Sequence, residues 1–175
     1  MSMEGNSHYQ AIEEFYADKF AKRSGVPLIN HIKEGVFILD IIGASNEAKE
    51  AYCIHPLLQS DQDLVSSVAS NSIFLNYDLN QLSVVYAMEY RLVANKYLSH
   101  DCKSEFDAIG LSQIKSVNDM LIADKIQNRK DFESYHLGTH EKSDILELYF
   151  SNWLKVLSVS EQQYRGIVRS INEKT

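Results

Sequence analysis

Residues 116–130 read SVNDMLIADKIQNRK, and within them Val117, Met120, Leu121, Asp124 and Asn128 recur three and four positions apart. That is the period of a helix with one apolar stripe, and the spacing predicts a helix introduced by Ser112 or Ser116. An aspartate and an amide lie on the same stripe as the valine, methionine and leucine. Burying an unpaired carboxylate costs several kcal/mol or more, so Asp124 needs a metal, a basic partner or hydrogen-bond donors.

The chain on either side repeats the helical period. Residues 9–23 carry Ile12, Phe15, Tyr16 and Phe20 on one expected buried face, before Ser24, Gly25 and Pro27 interrupt it. A second helix is expected from Ile29 or Asn30 through HIKEGVFILDII, with His31, Gly35, Ile38 and Ile42 in one row. Gly35 would let another backbone approach that row closely, at a helix-propensity cost of roughly 1 kcal/mol. Gly43 ends this helix, and Ser45 or Asn46 can cap the next, where Ala48, Ala51, Tyr52 and His55 share a face. Pro56 predicts a helix end or kink beside His55.

Asp61, Gln62 and Asp63 read as a polar turn, Asp78 to Leu98 as a long helix, and Asp101 to Ser112 as a connection with one short turn. The segment from Asp144 to about Ile171 predicts one bent helix or two, anchored by Phe150 and Trp153, with Asp144 and Glu147 matching a capping box. The expectation is an all-α chain.

Composition narrows the function classes. The chain has 175 residues, 45% of them hydrophobic, a natural size for one domain, and it contains no repeat or Pro/Gly-rich linker. No apolar stretch is long enough to cross a bilayer, and MSMEGNSHYQ at the start lacks the basic and apolar regions of a signal peptide, so a cytoplasmic protein is expected. Cys53 and Cys102 form no zinc-binding spacing, and Cys53 reads as a small buried helix residue. A formal charge of -7 argues against a broad nucleic-acid surface while allowing a local anion pocket.

His31, His55 and Asp124 each fall on an inferred apolar face. Two imidazoles and a carboxylate could converge on one divalent ion, a donor set that suits manganese or another transition metal. The alternatives stay open residue by residue: each histidine could be satisfied by a backbone carbonyl, and Asp124 could pair with a basic side chain.

Three runs, RSGVPLINHIKEGVFIL, AYCIHPLLQSD and MLIADKIQNRK, resemble the HD-domain metal-dependent phosphohydrolases, in particular the hydrolase domains of the stringent-response alarmone enzymes. Arg23, Gly25 and Pro27 lead to His31 as that family's arginine and loop lead to its first ligand histidine, and His55, Asp124 and Asn128 match its second histidine, distant aspartate and following asparagine. The resemblance implies a compact HD-domain-like multihelical bundle, one domain over residues 1–175 with its diagnostic core in 10–135, and a metal held by His31, His55 and Asp124. It also implies a nucleotide or other phosphorylated small molecule near Arg23, Lys125, Asn128 and Arg129.

The sequence departs from the family where its chemistry is concentrated. Pro56 replaces the aspartate after the second histidine, and Gln59 and Ser60 replace the acids that help position water. An amide and an ordinary hydroxyl are not general bases near neutral pH. Asp61 or Asp63 could compensate if the loop bends inward; otherwise they are solvated turn acids. The expectation is therefore an HD-like nucleotide-binding protein with reduced or absent phosphohydrolase activity. The alternatives are a hydrolase that recruits a substitute carboxylate and an inactive protein-interaction scaffold with a protein partner.

Other candidate motifs carry less. Tyr86, Tyr90 and Tyr97 recur at helical intervals and read as packing residues with hydrogen-bonding tips. ESYHLGTH, with His136 and His140, lacks the HExxH pattern, and GASNE lacks the GxxxxGK of a phosphate-binding loop.

Overall fold

Helices supply the regular structure in a computed structural model that describes residues 3, 5–22, 24–69 and 72–174, without the side chains of residues 69, 72 and 74. The described residues form α1 (Ser7–Tyr16), α2 (Ile29–Ile41), α3 (Asn46–Gln59), α4 (Asp61–Ala69), α5 (Ser72–Asn76), α6 (Gln81–Ala94), α7 (Lys115–Tyr135), α8 (Ser143–Val156) and α9 (Glu161–Lys174). The one strand-like feature among them is an isolated bridge between Phe20 and Pro27. No helix among the described residues is long and apolar enough to cross a membrane.

The helix starts follow local chemistry. Asn6, Ser45 and Asn80 each turn a side-chain oxygen onto a backbone N–H of the first turn, at His8, Ala48 and Leu82. α3 is the central element: it packs against α1, α2, α4, α6 and α7, and accordingly Ala48, Ala51, Tyr52, Cys53, Ile54, Leu57 and Leu58 are all buried. α7 lies across α2, α3, α6, α8 and α9, with Val117, Met120, Leu121, Ala123 and Ile126 buried around most of its girth. α2, α3 and α7 therefore pack against one another, which brings two histidines and an aspartate together.

Several local expectations are corrected. α1 stops at Tyr16 because Ala17 takes a positive φ of 41°, and Phe20 lies exposed in the loop that follows. α3 runs through Pro56 to Gln59 and does not end beside His55. Asp61 and Asp63 form the first turn of α4, where acidic groups suit the positive end of the helix dipole. Neither Ser112 nor Ser116 caps α7; Ser112 instead accepts the Ile114 N–H and is held by Asn118. The C-terminal segment is two helices, the second of the two forms expected, but α8 begins without a side-chain cap, so Asp144 and Glu147 form no capping box.

Candidate metal centre

α2 presents His31, α3 presents His55 and α7 presents Asp124, and one ligand atom from each lies within 4.8 Å of the others. His31 Nε2 is 3.4 Å from His55 Nε2 and 3.6 Å from an Asp124 oxygen. His55 and Asp124 are buried, and His31 keeps 20% of its side chain open to solvent.

Gly35 makes the convergence sterically feasible. A Cβ there would stand 2.1–2.3 Å from the Tyr52 ring, so the ring occupies the space a larger residue would take. Tyr52 packs beside both histidines, with ring centroids 5.5 Å from His31 and 4.7 Å from His55. Its hydroxyl lies 3.2 Å from His31 Nε2, and burial pushes the phenol's pKa well above the usual range, so the group remains a donor.

The remaining ring nitrogens fix the tautomers. His55 Nδ1 lies 2.6 Å from the Tyr52 carbonyl, an acceptor only, so it carries the proton. His31 Nδ1 lies 2.7 Å from Gln127 Oε1. The Gln127 amide cannot turn over profitably, because its NH2 group donates to Glu34 Oε2 at 3.2 Å and to Asp131 Oδ2 at 2.8 Å. His31 Nδ1 is therefore also the N–H.

Both Nε2 lone pairs consequently point into the cluster. Tyr52 can satisfy that of His31, whereas among the described residues His55 Nε2 has His31 Nε2 as its hydrogen-bond-range neighbour. A proton between the rings would make one of them an imidazolium and displace the tyrosine hydroxyl from His31 Nε2. A divalent cation would satisfy both nitrogens and the carboxylate together. Ligating histidines that donate the other ring N–H to a carbonyl oxygen are the usual second layer of such centres.

The electrostatics keep His55 and Asp124 in ligating form. Burial lowers the His55 pKa to about 3, with the His31 ring adding to the effect, so the imidazole is neutral. Burial alone would raise the Asp124 pKa, but the Lys125 charge and then the two histidines outweigh it and hold the group at about 2. Lys125 Nζ lies 2.8 Å from Asp124 Oδ2 and Asn128 donates to Asp124 Oδ1 at 2.8 Å, while Tyr90 also bonds the carboxylate.

The other sequence candidates sit as follows. Lys125 is buried over the Trp153 and Tyr149 rings, facing Asp124. Arg129 pairs with Glu133 at 2.9 Å and Glu161 at 2.8 Å and lies over the Tyr164 ring, tying α7 to α9. Asp61 is exposed and paired with Arg91; Asp63 accepts from Ser60. Gln59 binds Asn95. Arg23 lies outside the described residues. Both cysteines are free and buried.

Sequence reasoning missed Gln127, Glu34 and the role of Tyr52 at the centre. Gln127 stands three residues after Asp124 and one before Asn128, on the same side of α7, and Tyr52 stands three before His55; spacing alone could have nominated both. With this geometry established, the chain was compared with known proteins: no protein-family model, no curated protein and no solved structure matches it.

Proposed function

We propose that the chain is an HD-like metal-binding protein whose centre takes one divalent transition-metal ion on His31 Nε2, His55 Nε2 and Asp124, and offers the ion's open positions to a phosphorylated small molecule such as a nucleotide. The observation that carries the metal reading is the pair of facing Nε2 lone pairs, each fixed by a donor bond on the opposite side of its ring. Three protein ligands leave coordination positions for an outside oxygen, and His31 is the ligand whose side chain is partly exposed. The nucleotide component rests on the resemblance in sequence.

Binding without efficient hydrolysis fits the chemistry better than turnover. A bound metal lowers the pKa of water and polarises a phosphoryl oxygen. Positioning that water needs a further base: Gln59 is an amide bonded to Asn95, and the two acids considered as substitutes are held elsewhere, Asp61 by Arg91 and Asp63 by Ser60. Lys125 and Asn128 brace Asp124, and Arg129 braces α9. Equilibrium binding of guanosine and adenosine di- and triphosphates and of inorganic phosphate, with and without manganese, tests this reading alongside product analysis. Manganese-dependent retention of an intact nucleotide is the expected result. Rapid phosphate or pyrophosphate release would replace the binding protein with an enzyme, and manganese binding with no phosphoryl ligand would remove the nucleotide.

A further inference from the structure

Pro56 sits inside α3, four residues after Tyr52 and immediately after His55. A helix interior normally pairs the N–H at position i with the carbonyl at i−4; proline has no N–H, and its ring pushes that carbonyl outward at a cost of about 3 kcal/mol. The carbonyl freed in this way belongs to Tyr52. It is the atom that His55 Nδ1 meets at 2.6 Å.

We infer that Pro56 is a positioning residue for the metal centre: by removing the backbone donor that would claim the Tyr52 carbonyl, it dedicates that oxygen to His55 Nδ1–H and so aims the His55 Nε2 lone pair at the ion. This inference rests on the metal reading and assigns a constructive role to the residue that departs most sharply from the resembled motif. The same bond offsets part of the proline's cost, because a buried carbonyl left without its ladder partner finds a side-chain donor. His55 and Tyr52 are both buried, so water does not compete for that oxygen. His31 Nδ1 is held by a different group, the Gln127 amide fixed between Glu34 and Asp131, while Tyr52 touches both imidazoles.

Pro56→Ala restores the N–H and a good helix former, so the variant should fold. Its 15N-resolved histidine spectrum, recorded beside that of the metal-free wild type, reads the His55 tautomer directly, and a manganese titration reads the affinity. The wild type should show His55 protonated on Nδ1 and bind the ion; the variant should show a mixed tautomer and bind about 10- to 100-fold more weakly, the usual loss when a second-layer partner is removed. An unchanged tautomer and unchanged affinity in Pro56→Ala would overturn the inference with the metal reading intact. If the wild type binds no ion, the metal reading fails, and the tautomer comparison still decides whether Pro56 orients His55.

Discussion

Replacing Gly35 by alanine probes the packing on which the centre depends. The new Cβ would lie 2.1, 2.2 and 2.3 Å from Tyr52 Cε1, Cζ and Oη. Carbon atoms pack at about 3.5–4.0 Å, so the ring must retreat by more than about 1 Å. Tyr52 is fully buried and flanked by His31 and His55, so it has no route to solvent. Overpacking of this kind costs about 1–3 kcal/mol, and this contact belongs at or above the top of that range. Alanine returns about 1 kcal/mol through helix propensity. The net expectation is a loss of about 2 kcal/mol, or roughly 4–8 °C in Tm for a chain of this size. Urea and thermal unfolding of the metal-free protein give the stability, and a manganese titration should show weakened binding because displacing Tyr52 disturbs both imidazoles. A Gly35→Ala protein as stable as the wild type, or more stable, would refute the reasoning.

Two further outcomes follow from the charges at the centre. Asp124→Asn leaves the buried Lys125 without its counter-charge and removes a ligand; it should cost about 3–5 kcal/mol in urea unfolding and abolish manganese binding, and full stability in the variant would contradict the pairing. His55 is neutral when folded, with a pKa of about 3 against 6.5 unfolded, so the unfolded chain binds the extra proton between those values and this contribution to stability is lost as the pH falls from about 6.5 toward 3. The urea midpoint of the metal-free wild type should therefore fall more between pH 7 and pH 4.5 than that of His55→Leu, and equal acid sensitivity would count against a buried neutral histidine.

The helical periods made His31, His55 and Asp124 legible as inward-facing positions, because each lies on the apolar row of its own helix. The sequence also marked Gly35 as a point of close approach, but the partner, Tyr52, belongs to another helix and had to be found in space. Arg129 was harder to read: its partner Glu161 is 32 residues away, and no local pattern distinguishes an arginine that clamps α9 from one that awaits a phosphate. Asp61 and Asp63 looked like turn residues because acids favour helix starts and turns alike. Pro56 misled most. Its local penalty predicts a helix end or kink, and of these the end is not found: burial of Leu57 and Leu58 and the bond from His55 carry α3 one turn further.

A manganese-soaked crystal with anomalous diffraction recorded at the manganese edge tests the metal centre most directly. One strong anomalous peak is expected, bonded at about 2.0–2.3 Å to His31 Nε2, His55 Nε2 and an Asp124 oxygen, with Tyr52 moved off His31 Nε2. No peak at that point, with the two imidazoles instead sharing a proton, would contradict the metal reading.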